Sequence, residues 1–191
     1  MKINTVKKIT NCKHLNLFSI SYKDRINSEK EWIFASRSKK LNPLENEGIS
    51  PDAVVIVPLH KPGGKIVIIK EFRVALAGWQ YGFPAGLVDR GETIEQAGKR
   101  ELFEETGLTL TKVLKKSPAI YSSSGLTDES VSLLFVECEG RPTNRFNEPS
   151  EDIETLMLSK EQAADILYDN KIKFDVKSWI VLNAFANYGG I

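Results

Sequence analysis

The segment GLVDRGETIEQAGKRELFEETGL, Gly86 to Leu108, constrains this chain more than any other stretch. Thr93 with Gln96 three residues on is a capping-box pattern, and Gly107 supplies a left-handed stop, which predicts a helix from Ile94 to Thr106. At roughly 100° per residue, Ile94, Ala97 and Gly98 share one face. Glu101 and Glu105 fall on that same face, Leu102 borders it, and Glu104 flanks it beside Arg100. A Glu-rich helix is ordinarily a solvated surface, but a solvated set lies opposite the apolar residues rather than among them. Buried carboxylates need compensation. Arg100 can pair with Glu104 at i,i+4 or reach back to Glu92, yet one guanidinium cannot neutralise three acids. Converging carboxylates suit a hard divalent cation such as Mg²⁺. The loop before the helix, Ala85 to Gly91, holds two glycines, where backbone can approach a ligand and leave its carbonyls accessible. Phe103 lies on the far face, with no reading beyond packing under another element.

The rest of the chain reads as alternating strands and helices. Residues 1–45 are strands and turns: a run through Leu15, Leu17, Phe18 and Ile20 ends near Tyr22, a polar turn follows, and Glu31–Ser36 resumes the strand. Leu41 to Gly48 is expected to be a linker, with Pro43 and Gly48 as breakers. Ala53–Leu59 is a buried strand, forming a hairpin with Lys65–Arg73. Trp79–Phe83 is a short aromatic strand stopped by Pro84. Thr109–Tyr121, Ser130–Cys138 and Ile153–Leu158 are extended. A second helix begins at Ser159 and ends near Asn170, and a third covers Val176 to Asn187 before Gly189.

The segment around the acidic helix resembles the Nudix hydrolase family. Its pattern is Gly, five residues, Glu, seven residues, then Arg-Glu-apolar-any-Glu-Glu-any-Gly-apolar. Gly86, Glu92 and Arg100-Glu101-Leu102-Phe103-Glu104-Glu105-Thr106-Gly107-Leu108 fit it without mismatch. The resemblance implies an α/β (α+β) fold, a Nudix-type α/β/α sandwich around a mixed sheet with an N-terminal antiparallel β extension. It divides the chain into residues 1–45, for dimerisation and substrate contribution, and a hydrolase domain over 46–191. It implies hydrolysis of a nucleoside diphosphate linked to another moiety, with Mg²⁺ or Mn²⁺ as cofactor. Glu101, Glu104 and Glu105, with the carbonyl of Ala85 or Gly86, match the metal ligands, and Arg100 with Glu92 matches the pair that orients them.

The Glu71-Phe72-Arg73 strand end, the Phe83-Pro84-Ala85-Gly86 entry and the stretch Tyr121 to Glu129 resemble the ADP-ribose pyrophosphatase branch. There the expected products are AMP and ribose 5-phosphate. The N-terminal strands often exchange across a homodimer, a Trp matching Trp32 stacks on adenine, and arginines matching Arg37 and Arg73 contact phosphates or the terminal ribose. Read without the resemblance, Trp32 is a half-buried strand residue and the arginines are solvated charges. Ser124 stands where such enzymes commonly carry a proline, which keeps a GDP-sugar such as GDP-mannose as an alternative substrate; a catalytically silent ligand-binding domain is a third reading, opposed by the intact set Glu101, Glu104 and Glu105.

Pyrophosphate cleavage needs charge neutralisation, an in-line water and a base. With the motif acids on metal, the base is expected in the loop 141–152, Glu151 first and Glu148 second; the competing reading of that loop is a solvated connection.

Lys and Arg number 26 against 25 Asp and Glu, which leaves no basic field for nucleic acid. The expected partner is a small-molecule nucleotide. No apolar run approaches the roughly 20 residues of a membrane helix, and the N-terminus has no signal-type apolar segment, so a cytoplasmic protein is expected. Cys12 and Cys138 form no disulfide framework and are read as reduced thiols without a role.

Overall fold

The computed structural model describes residues 1–39, 50–61 and 63–189, and falls into two compact units, Met1–Pro51 with Ala119–Ser130, and Asp52–Pro118 with Val131–Ile191. The linker expected over 41–48, and with it the 45/46 division, lies outside the described residues. Residues 119–130, assigned by the sequence reading to the hydrolase domain, group with the first unit.

The first unit is built on an antiparallel sheet of β1 (Lys2–Lys8), β2 (Asn16–Lys23) and β3 (Glu29–Ser36), in that order. The turn from β2 to β3 is made by Asp24, whose carboxylate accepts the backbone N–H groups of Ile26 and Ser28, both at 2.9 Å. Asn27 takes the left-handed conformation (φ 61°) that Asn tolerates better than most residues. Phe18 and Phe34 sit opposite each other in the β2–β3 register, both buried, with ring centroids 5.8 Å apart. Ala35 N–H donates to Leu126 O at 2.8 Å and Ser36 Oγ to Asp128 Oδ2 at 2.7 Å, tying the 119–130 segment to the end of β3.

The second unit is organised around a mixed sheet. Its strands are β4 (Ala53–His60), β5 (Lys65–Arg73), β6 (Gly78–Gly82), β7 (Ala85–Leu87), β8 (Thr109–Lys116), β10 (Ser130–Glu139) and β11 (Ile153–Leu158); β9 (Ile120–Tyr121) belongs to the first unit. The order is β11-β5-β4-β10-β8, with β10 parallel to β4 and the remaining neighbours antiparallel. β4 and β5 pair only at Leu59–Ile66 and His60–Lys65. Beyond that point they splay, β6 pairing with β5 and β7 with β4. Pro84 sits between β6 and β7 because it cannot donate to a ladder.

Val54–Val57 and Ile66–Ile69 are all buried, as strands covered on both faces require. On one face α1 (Ile94–Thr106) packs through Ala97 and Leu102 against Val54, Ile56, Val67, Leu134 and Val136. α2 (Lys160–Leu167) and α3 (Val176–Tyr188) pack together, α3 against β6 and α2 against β11, completing the α/β/α sandwich. Helix α2 stops three residues before the Asn170 expected from sequence. Asp165 and Ile166 carbonyls already accept the N–H groups of Tyr168 and Asp169 at 3.3 Å, and the Asp169 carboxylate takes Lys171 N–H at 2.9 Å. Asp competes for the backbone in this way and favours a turn.

No described helix is long and apolar enough to cross a membrane. Cys12 is exposed, while Cys138 is buried on β10, where desolvation pushes its thiol up to about 12. Iodoacetamide at neutral pH is therefore expected to label Cys12 at least about 100-fold faster than Cys138 in the native protein. Peptide mass mapping after timed labelling checks this; equal rates would contradict a buried Cys138.

Candidate active site

Helix α1 begins as its sequence predicts. Thr93 Oγ1 accepts Gln96 N–H at 3.2 Å and Gln96 Oε1 accepts Thr93 N–H at 2.8 Å, closing the capping box. Gly107, at φ 71°, donates its N–H to Phe103 O at 2.8 Å and ends the helix. Glycine weakens a helix interior, but Gly98 has a packing reason: a Cβ there would overlap the Leu134 side chain. Its absence lets α1 settle on β10.

That approach fixes which carboxylates are buried. Glu105 is 5% exposed and the Glu101 side chain 12%, whereas the Glu104 side chain is 45% exposed. Burial and then the neighbouring Glu101 charge raise the Glu105 carboxyl well above its usual range, against the Ala85 N–H that donates to Glu105 Oε2 at 3.1 Å. Burial also raises Glu101, partly opposed by Arg100. The charge of Glu151 raises both, and that of Glu71 raises Glu105.

Arg100 is the hub of the acidic edge. Its Nε and Nη2 fork onto Glu92 Oε1 and Oε2 at 3.0 and 2.9 Å. Nη1 donates to Glu101 Oε1 at 2.7 Å and Glu104 Oε2 at 3.2 Å, and Nη2 also reaches Leu87 O at 3.1 Å. Glu92 is lowered to about 2, by Arg100 first and by the Asp89 N–H second. Both partners anticipated for Arg100, Glu104 and Glu92, are thus engaged together.

The entry strand β7 separates the two carbonyls left open by the sequence. Ile56 N–H donates to Pro84 O at 2.8 Å and Val88 N–H to Asp52 O at 3.0 Å. In an antiparallel pair hydrogen-bonded positions alternate, so Gly86, opposite Val54, lies on the ladder side. Ala85 and Leu87 bond outward, as Ala85 N–H to Glu105 and Leu87 O to Arg100 confirm. Ala85 therefore offers its carbonyl on the α1 side, while that of Gly86 faces β4. Gly86 has a different requirement: a Cβ there would overlap the Glu101 carboxylate.

Among the described residues, no three His, Cys, Asp or Glu side chains stand grouped as a metal cage, the Glu101 and Glu104 carboxylates being turned onto Arg100. The donor chemistry fits a hard divalent cation all the same. It is oxygen throughout, and the charges of Glu101, Glu71 and Glu151 raise the affinity of Glu105 for positive charge, as that of Glu151 does for Glu101.

The other candidates are placed as follows. In the loop 141–152, Glu148 is exposed, and its backbone N–H donates to Glu151 Oε2 at 2.9 Å. Glu151 is the loop acid whose charge reaches Glu101 and Glu105. Arg73 Nη1 donates to Glu71 Oε1 at 2.7 Å at the end of β5. Trp32 and Arg37 belong to the first unit: Trp32 is half-exposed opposite Ile20, and Arg37 Nε donates to Glu129 Oε1 at 2.8 Å. Sequence reasoning missed Glu71 as a member of the cluster. Its signal was the period of two in KIVIIKEFR, which puts Glu71 on the same face as the core residue Val67.

A family model described as "NUDIX domain" matches residues 50–180. The chain is 35% identical over 136 residues to a Saccharomyces cerevisiae protein named "ADP-ribose pyrophosphatase", covering 70% of this chain and 57% of that one. It is 33% identical over 167 residues to the Caenorhabditis elegans "Putative nudix hydrolase 2", covering 84% and 72%. It is 34% identical over 130 residues to a Bacillus subtilis "ADP-ribose pyrophosphatase", covering 67% and 68%. A solved structure titled "Crystal structure of ADP compounds hydrolase" shares the fold at TM-score 0.69 and 17% identity, covering 99% of this chain and 95% of that one. With the motif on its helix, the sandwich around it and a family match over most of the chain, this protein belongs to the NUDIX domain family.

Proposed function

We propose that the chain is a divalent-metal-dependent pyrophosphohydrolase that splits ADP-ribose, with water, into AMP and ribose 5-phosphate. The observation that carries this reading is the buried Glu105 with the half-buried Glu101 beside it, facing the charges of Glu71 and Glu151 next to an Arg100 already committed to Glu92. Glu101, Glu104, Glu105 and the Ala85 carbonyl would hold Mg²⁺ or Mn²⁺. The bound ion supplies neutralisation of the pyrophosphate charge and polarisation of the phosphoryl group under attack. Arg100, with Glu92 behind it, holds Glu101 and Glu104 in place. Glu151 accepts the proton of the attacking water, and Glu148 orders Glu151 through its backbone N–H. Arg73 exchanges its bond to Glu71 for a substrate phosphate, Trp32 stacks on the base, and Arg37 contacts phosphate or the terminal ribose. The names of the yeast and Bacillus relatives support the adenine assignment; Ser124 favours the second reading, another nucleotide sugar such as GDP-mannose.

A panel of ADP-ribose, GDP-mannose, UDP-glucose, diadenosine polyphosphates and NADH, assayed by phosphate release with Mg²⁺ and added phosphatase, tests the substrate. ADP-ribose is expected to give the highest kcat/KM, because a site built for the adenine edge leaves polar groups unpaired against guanine. A preference of about tenfold or more for GDP-mannose would replace adenine while keeping the chemistry.

The protein is proposed to work in the cytoplasm as a homodimer whose β1–β3 sheet contributes to substrate binding, since so small a sheet has little core of its own. Light scattering at micromolar concentration is expected to give twice the 21.4 kDa chain mass. A fully active monomer would remove the shared-site proposal.

A further inference from the structure

The loop 141–152 is tied to the helix that carries the acidic motif, and the tie is made by aromatic rings and backbone carbonyls of that helix, not by its motif carboxylates. Phe103, on the far face of α1, packs its ring on Phe146, with centroids 4.5 Å apart and planes tilted by 31°. Thr143 N–H donates to Thr106 O at 2.9 Å, on the last turn of α1. The Asn147 amide, turned so that its nitrogen faces them, donates to Glu104 O and Asn144 O, both at 3.2 Å. At its other end the loop is pinned by Phe72 N–H to Asp152 O at 3.0 Å. Between these anchors, Glu151 N–H donates to Glu148 O and Glu148 N–H to Glu151 Oε2, both at 2.9 Å.

We infer that Phe103 and Phe146 are positioning residues that clamp the 141–152 loop to α1 and so set Glu151 toward the Glu101–Glu105 pair. Both rings are about two-fifths exposed (42% and 43%), so core filling does not explain the stack. A ring pair adds attraction beyond its buried area, and here it joins two hydrogen bonds that use carbonyls of the helix's last turn. A loop bearing a base needs such anchoring, because small displacements of a catalytic group cost rate steeply. The inference rests on the assignment of Glu151 as base.

The test uses the full chain with Mg²⁺ and ADP-ribose. Phe146→Ala is expected to lower kcat at least about tenfold with KM within about twofold, as loss of a transition-state group does. Phe146→Leu keeps apolar bulk and is expected to retain at least about half the parent kcat. In a Glu151→Gln background Phe146→Ala should cost nothing further, whereas a merely structural role makes the two losses multiply. Loop release has its own readout. Arg145 is exposed beside Phe146, and native-state trypsin cleavage after it, followed by mass, should accelerate at least about tenfold in Phe146→Ala. Unchanged cleavage and kcat in that variant would overturn the clamp alone. A Glu151→Gln variant with parental kcat would remove the base assignment, and the positioning role with it, even if cleavage accelerated.

Discussion

Glu105→Gln is expected to lower kcat by at least about 100-fold with the fold intact. Glu105 is the most deeply buried of the motif acids, and its Oε2 accepts the Ala85 N–H. Glutamine keeps the shape, and its amide oxygen can accept the same N–H. What disappears is a carboxylate facing the Glu101, Glu71 and Glu151 charges, where a bound cation compensates the burial of the ionised acids. For the same reason the variant should melt no lower than the parent in EDTA, since a neutral isostere relieves buried repulsion. Steady-state rates with Mg²⁺, together with a thermal melt followed by circular dichroism, check both halves. A kcat within about fivefold of the parent would show that Glu105 is not a ligand.

Gly86→Ala is expected to cost about 100-fold in kcat/KM, though it adds only a methyl group. That methyl would overlap the Glu101 carboxylate, and the backbone beneath it is held at a ladder position opposite Val54. The strand cannot move aside without losing its pairing to β4, so Glu101 must leave its place between β7 and Arg100. Gly91 provides the control. It sits at φ 90° with open space around its Cα, so Gly91→Ala strains the backbone by about 1 kcal/mol and should leave kcat near the parent value. Equal loss of activity in the two variants would point to general loop strain instead of a clash at Glu101.

The parts of the fold that could be read beforehand are those with local signals. Thr93, Gln96 and Gly107 mark the two ends of α1, and the apolar run of Lys65–Arg73 bounds β5. The face shared by Ala97, Glu101 and Glu105 follows from helical periodicity, and burial of Glu105 bears it out. Three features depended on partners distant in sequence. β7 is too short to announce itself; Ala85–Leu87 is a strand because β4 and β5 splay and leave an edge to pair. Glu71 joins the cluster through sheet register. Phe103 stayed unread because its contact, Phe146, lies in a loop without periodicity.

The rate of ADP-ribose hydrolysis measured against free Mg²⁺ in EDTA-buffered solution bears most directly on the claim that the Glu101–Glu105 centre is a metal-dependent pyrophosphohydrolase. The expected result is a rate that is undetectable without the ion and rises to saturation with it, releasing AMP and ribose 5-phosphate in equal amounts. A full rate in EDTA, or no cleavage of ADP-ribose at any Mg²⁺ concentration, would contradict the account.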